Sequence, residues 1–407
     1  MAPRVSRPIG RRTPAVLLAA LALVLTGCGS TATHTSTSAS SGSATRAPSS
    51  AAASATAQPP SAAVPVHHKP LRPGERRLTV RMPQPYTPSA PTGVGTDDYR
   101  CFLLDPHLTR DQMITGFNVL PQNPTVVHHV ILFRVPRNLV AQAEQKDASA
   151  PGEGWTCFGS SGIGDSATQI DNAPWLGAWA PGGGEQVYAK GFGEALGAGS
   201  RIVMQVHYNL LRGSSPDQSA AELRLAPASK GIRELQTQLM PAPVELPCRP
   251  AHRSGPLCTR AASLADVKRR FGDGPGATAD LLHFLCGPVH PGPVQSCTRT
   301  IMKPETIRGV AGHMHLLGRS IKVEVNAGRP DARTILDIPV WNFDSQGSRP
   351  ISPVRLKPLD TVKVTCRHTQ SLRDRLPSFQ GQPDKYVVWG EGTTDEMCLA
   401  ILLVTRP

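Results

Sequence analysis

The chain has 407 residues, a formal charge of +13, 40 prolines and 37 glycines. Nine of the thirteen net charges fall in residues 1–81, where ten Lys/Arg face a single acid, Glu75, so the remaining 326 residues carry only +4. The excess belongs to one end of the chain rather than to a binding face, which removes the main support for a nucleic-acid partner.

At that end, Arg4, Arg7, Arg11 and Arg12 precede the apolar run PAVLLAALALVL and the tetrapeptide LTGC, which ends at Cys28. A basic segment, a short apolar segment and small residues before a cut read as a secretory signal over residues 1–28. The run is short for a spanning helix, which needs about 20 apolar residues. The Leu-Thr-Gly-Cys ending resembles a bacterial lipobox. That resemblance implies lipidation of Cys28 and an extracytoplasmic lipoprotein anchored to the outer face of the bacterial cell membrane; an ordinary signal peptide is the alternative. Residues 29–75 are almost all Ser, Thr, Ala, Pro and Gly. Such a segment buries too little apolar surface to order itself and is expected to be a disordered tether. His67 and His68 sit at its end beside prolines, where they are expected to be solvated.

From residue 76 the sequence reads as β. RLTVRMP, TVVHHVILFRV, RIVMQVHYNLL, SIKVEVNA, VKVTC and CLAILLVT are short runs rich in Val, Ile and Thr, separated by Gly, Pro, Asn and Asp. They predict an all-β chain of two antiparallel sandwiches, residues 76–228 and 229–407. One segment breaks the pattern. SLADVKRRFG, residues 263–272, places Leu264, Val267 and Phe271 at helical spacing, with Ser263 as N-cap and Gly272 as the stop. It lies in an insert, about 245–300, with two pairs of closely spaced cysteines.

Setting Cys28 aside leaves Cys101, Cys157, Cys248, Cys258, Cys286, Cys297, Cys366 and Cys398. An even number in an exported chain is read as disulfides, and no CxxC spacing suggests a zinc knuckle. Short loops favour Cys248–Cys258 and Cys286–Cys297.

Histidines carry the chemistry. His128 and His129 are adjacent inside an apolar, β-branched run, where a buried imidazole needs a use for its nitrogens. Neighbours on an ideal strand point to opposite faces, so both can reach one ion only if the strand is bulged or one ligand comes from its edge. His207 follows in MQVHYN, and His313 and His315 in GHMHL, where i and i+2 project to one side and leave Met314 for the core. Met397 comes last, in TTDEMC. Imidazoles suit Zn, Cu, Fe or Ni, and a thioether adds preference for Cu(I). His107, His283 and His290 lie in loop or insert contexts and are not expected to be ligands. His368, two residues after Cys366, would suit a blue-copper site only if that thiol were free. Trp155, Trp175 and Trp179 fall in one region and suit either core or cleft. The glycines near residues 182–199 do not lead from a strand into a helix, so a phosphate loop is not supported.

The order HH, QxHY, HxH, DEMC resembles the copper type II, ascorbate-dependent monooxygenases, which include the peptidylglycine α-hydroxylating and dopamine β-hydroxylating enzymes. The resemblance runs from DDYRCFLLD at 97–105 to the last strand. It implies two jelly-roll sandwiches facing each other across a solvent-filled cleft, with one copper on each. His128, His129 and His207 would hold an electron-storing copper; His313, His315 and Met397 would hold the copper that binds O2. Tyr99 and Gln205 also match family positions, and the disulfides Cys101–Cys157 and Cys366–Cys398 are implied in the same way. The reaction would hydroxylate a C–H bond of a small-molecule substrate, with ascorbate or an equivalent reductant. Where the peptide-acting members carry an Arg before HxH and a Tyr after the Met, this chain has Ala311 and Ile401, with Arg308 displaced, so peptide amidation is not expected. Two other readings share the sequence: a non-catalytic copper-binding lipoprotein, and an adhesive or structural sandwich whose histidines bind zinc or nothing.

Overall fold

A computed structural model describes residues 68–91, 95–164, 171–229 and 231–407. The signal, Cys28 and most of the expected tether lie outside the described residues. Residues 62–407 form a single unit, and the described part of it is an all-β sandwich fold.

Five sheets occur among the described residues. Two are built from the first half. One runs in the order Arg76–Arg81, Ala220–Pro227, Gln112–Leu120, Phe192–Leu196, Arg233–Glu234. The other runs Trp155–Thr156, Asp97–Leu104, Arg201–Asn209, Val127–Val135, Trp175–Trp179. Their facing sides supply Ile114, Phe117, Val130, Leu132, Met204, Val206 and Leu223 to one core. The second half repeats the plan with Gln236–Pro241, Leu399–Thr405, Glu305–His313, Arg349–Leu356 in one sheet and Val294–Thr300, Thr361–His368, Gly318–Val325, Arg333–Ile338 in another. Val310, Ile321, Val323, Val364 and Leu402 fill its core. Glu245–Leu246 and Val387–Val388 make a small fifth sheet. Each of the six β runs expected from sequence lies on one of these strands.

The helices differ from expectation. α1 (Val140–Ser149) covers the outer side of the first half and was not expected. α2 spans Arg260–Phe271, one turn earlier than the sequence suggested. Its N-cap is Thr259, whose hydroxyl accepts from the Ala262 N–H at 3.2 Å, while Ser263 is buried inside the helix. Gly272 ends it as expected, and α3 (Asp273–Cys286) follows at once. Gly and Pro crowd its first turn and read as loop, yet a proline is tolerated there because those N–H groups have no helical partner.

The fold also begins earlier than residue 76. Arg224 is 1% exposed and needs acceptors for its guanidinium. Lys69 and Pro70 offer backbone carbonyls at 2.9 and 2.8 Å, and Glu75 and Glu185 offer carboxylates. Residues 68–75 are therefore part of the first sandwich rather than of the tether.

All eight cysteines outside the signal are paired: Cys101–Cys157, Cys248–Cys258, Cys286–Cys297 and Cys366–Cys398. The last closes a 32-residue separation and joins the strand Thr361–His368 to the residue after Met397. Replacing both Cys366 and Cys398 by serine is expected to cost roughly 3–4 kcal/mol, read as a lower urea midpoint. A loss under about 1 kcal/mol would mean that packing alone holds this segment.

Candidate metal centre

The strand Val127–Val135 is bulged where the two histidines sit. Val127 pairs with Tyr208, but His129 pairs with His207, so one extra residue is inserted at His128. A bulge turns a side chain off the alternating pattern. Val130 and Leu132 point into the core, His129, Ile131 and Phe133 face the opposite side, and the bulge lets His128 join His129 there. His207 comes from the neighbouring strand Arg201–Asn209. The Nδ1 atoms of His128 and His207 lie 3.3 and 3.2 Å from Nδ1 of His129. One ligand atom from each of the three rings falls within 4.8 Å of the others.

Three Nδ1 atoms converging in this way cannot all be satisfied by hydrogen bonds among neutral imidazoles, which carry one donor each. Nε2 of His128 is buried without a partner among the described residues. His207 is oriented from behind: its Nε2 bonds the Asp97 carboxylate at 2.8 Å, which leaves Nδ1 to face the other rings. Tyr99, directly opposite on the strand Asp97–Leu104, stacks on His207 with ring centroids 4.0 Å apart. Burial and the neighbouring histidines hold His128 and His129 well below the ordinary imidazole range, so both are neutral, the form that ligates metal.

The second set lies on the other half. His313 ends the strand Glu305–His313 and pairs with Leu399. His315 is 1% exposed, and neither ring nitrogen has a partner among the described residues. His313 keeps its orientation through Nδ1 and the side-chain oxygen of Gln346, 2.7 Å apart. Burial pushes both rings down to about 4. Glu396, fully buried, accepts the backbone N–H groups of His315 and Leu317 and so fixes the turn that aims His315. Met314 is core, as its alternation demands. Met397 is 7% exposed and lines the same cavity as His129 and His313.

The two sets are not held apart across a wide cleft. The His129 and His313 ring centroids are 5.8 Å apart, so five imidazoles form one continuous group. The reason is a set of ties between the halves. Phe343, from the second half, stacks on His128 at 4.2 Å. Tyr99 donates its hydroxyl to the Glu391 carbonyl at 2.6 Å, and Thr393 bonds Asp97 through both N–H and hydroxyl.

Beside the histidines, the facing sheets enclose a cavity of about 630 Å³. Ile131, Trp175 and Trp179 line one wall; Leu399, Ile401 and Leu403, alternate residues of one strand, line the other. Gln205 is on the wall and donates to Cys157 Sγ at 3.5 Å. Gly177 must be a glycine, because a Cβ there would sit 2.4 Å from the Phe117 ring. Trp155 belongs to the outer core instead and donates to the Ser161 carbonyl.

The histidines not expected as ligands stay outside the group. His107 contacts Asp105 at the surface, His283 bonds Glu245, and His68 contacts Glu222. His368 is buried with Nε2 3.3 Å from the Met397 carbonyl, and Cys366 is in a disulfide, so a thiolate site there is excluded. The sequence reading missed Asp97, Phe343, Gln346, Glu391 and Glu396 as parts of the site. Asp97 and Glu396 stood in the quoted stretches DDYRCFLLD and TTDEMC but without a role; the loop holding Phe343 and Gln346 has no spacing signal.

No family model matches this chain, and no curated protein matches it. Solved structures that resemble it do so faintly. A Paenibacillus xanthan lyase is 12% identical over 85% of this chain, with a TM-score of 0.19. The VP2 subviral particle of infectious bursal disease virus is 9% identical over 86% of this chain and 75% of its own, with a TM-score of 0.18. An allantoicase is 11% identical over 81% and 84% of the two chains, with a TM-score of 0.16. This chain spans about a quarter of the xanthan lyase's length, 27%. Likenesses this faint carry no argument about the chain.

Proposed function

We propose that this protein is an extracytoplasmic, copper-dependent monooxygenase that hydroxylates a C–H bond of a small molecule. One observation carries the reading: His128, His129 and His207 bring ring nitrogens within 4.8 Å of one another, next to His313 and a His315 whose two nitrogens have no partner among the described residues, at an apolar cavity that Met397 also lines. His128, His129 and His207 would hold one copper, and His313, His315 and Met397 the other. Copper bound there would supply O2 binding and one electron per metal, with ascorbate or an equivalent reductant returning the electrons.

The chain's own residues have definite tasks in this reading. Asp97 and Gln346 each fix one imidazole from behind, so that the free nitrogen faces the group. Glu396 sets the backbone that aims His315. Tyr99 and Phe343 wall two rings and exclude water from them. The apolar cavity walls keep a bound substrate dry and oriented. Four disulfides suit an oxidising compartment outside the cytoplasm. Among the described residues no helix is long and apolar enough to cross a membrane, and anchoring through a lipid on Cys28 remains part of the proposal.

Copper stoichiometry is the direct test. The chain from residue 62 onward, loaded with Cu(I) and freed of excess, is expected to retain two coppers. His128→Ala and His313→Ala are each expected to retain one. No retained copper, or variants that bind as much as the parent, would sink the assignment. Two coppers without ascorbate-dependent O2 uptake, across substrates that demonstrably bind, would instead favour a copper-storing lipoprotein.

A further inference from the structure

The cavity carries a chemical description of its occupant. Among the described residues no Lys or Arg lines it, and its charged-type side chains apart from histidine are two glutamates, Glu194 and Glu391. Ala311 and Ile401 both form part of its apolar wall. An anionic substrate would therefore enter an apolar space containing acids and no counter-charge.

Glu194 stands on the strand Phe192–Leu196 and points with Leu196 toward the first-half core. It is 2% exposed. Its Oε1 accepts the Tyr188 hydroxyl at 2.9 Å, while its Oε2 has no partner among the described residues. It stands on a different sheet from the one that carries His128, His129 and His207, paired with Ile114 of the strand Gln112–Leu120, and lines the same cavity as His129 and His313. One wall is long and apolar: Leu399, Ile401 and Leu403 alone extend about 13 Å along one strand, at about 3.3 Å per residue.

We propose that the cavity binds an elongated, uncharged, apolar molecule whose terminal hydroxyl is held by Glu194 and Tyr188 while its other end is presented to the histidines. Burial raises the Glu194 carboxyl to about 8, so at neutral pH it keeps its proton. A protonated carboxyl accepts from Tyr188 through one oxygen and donates from the other, which complements an alcohol and not an ammonium or a carboxylate. The unpartnered Oε2 is then the atom the ligand satisfies. Glu391, at the Tyr99 end, is raised to about 7 by burial and by Asp395. It is the competing anchor for a cation, and the test separates the two.

This inference rests on the reading of the histidines as the reacting end, but its test does not use the reaction. In chelator-treated protein, quenching of tryptophan emission from Trp175 and Trp179 would be titrated with dodecan-1-ol, dodecylammonium and dodecanoate. The alcohol is expected to bind at least about tenfold more tightly than either ion. Glu194→Gln, which keeps one acceptor and one donor, is expected to bind it within about threefold of the parent, and Glu194→Leu about tenfold more weakly, the value of one hydrogen bond to a buried group. Preference for the ammonium with loss in Glu194→Gln, preference for dodecanoate, equal binding in Glu194→Leu, or no binding of the alcohol would each overturn the proposal. Alcohol binding with no copper retained would leave it standing and remove the oxygenase reading; copper retention without alcohol binding would do the reverse.

Discussion

Replacing Asp395 with alanine is expected to destabilise the protein by about 3–5 kcal/mol and to loosen the loop that carries Met397. Asp395 is 1% exposed and receives Arg270 at 2.7 Å, the Lys385 ammonium and the Gly392 N–H. Burial alone would raise its pKa, but the two cations hold it far below the usual carboxylate range. Lys385 is itself 6% exposed, with Asp266 as its other acid at 3.6 Å. Removal of the shared carboxylate leaves two desolvated cations facing one remaining acid. Breaking a buried pair from one side is costly for this reason, whereas replacing both partners with apolar groups is not. Asp395→Ala should therefore lower the thermal midpoint by roughly 4–7 °C, at about 1.4 °C per kcal/mol for a folded unit of this size. The double change Asp395→Leu with Lys385→Met should recover part of the loss. A midpoint within about 1.4 °C of the parent for Asp395→Ala, the shift of about 1 kcal/mol, would show that water reaches these cations.

The second large effect is on pH. The ring of His315 is lowered from 6.5 to about 4, and His128, His129 and His313 are lowered too. These groups bind protons more readily when unfolded, so metal-free stability is lost as pH falls from 6.5 toward 4. Glu194 and Glu391 act oppositely. Their folded values, raised from 4.5 to about 8 and about 7, mean that the fold retains protons the unfolded chain releases. Stability from these two is fully present below 4.5 and is lost as pH rises to 8. Four histidines outweigh two carboxyls below 6.5, and only the carboxyls act above it. Thermal midpoints of the chelated protein should therefore peak near pH 6.5. His315→Ala should flatten the acid side and Glu194→Gln the alkaline side. A midpoint independent of pH from 4.5 to 8 would contradict the burial of all these groups. For His315 alone the acid limb amounts to about 3 kcal/mol, at 1.36 kcal/mol for each tenfold change in proton affinity.

Much of the fold was legible because β-branched runs and turn residues encode strands locally. The same local reading missed α3, where Gly274, Pro275 and Gly276 suggested a loop, because burial of Ala279 and Leu282 against the second core outweighed propensity. It also placed residues 68–75 in the tether. Their order comes from Arg224, more than a hundred residues away, and no window of sequence contains both. The candidate ligands were legible for a different reason. A pair of histidines within an apolar run is an anomaly that only function or a hydrogen bond excuses. Asp97, Phe343 and Gln346 carry no such anomaly. An acid, an aromatic ring and an amide in polar surroundings are ordinary, and only the fold reveals that each touches a histidine.

The bulge at His128 has a consequence for how such a centre is inherited. The three imidazoles of the first half converge because the strand holds one residue more than its partner opposite. Their meeting is encoded by a count as much as by identity. Deleting any single residue between Val127 and His129 would close the ladder into regular alternation, even if both histidines were then restored by substitution. A lineage can therefore lose this centre by one codon of length without changing a ligand. An alignment that scores only matched histidines, blind to the spacing that turns them, would record the site as intact.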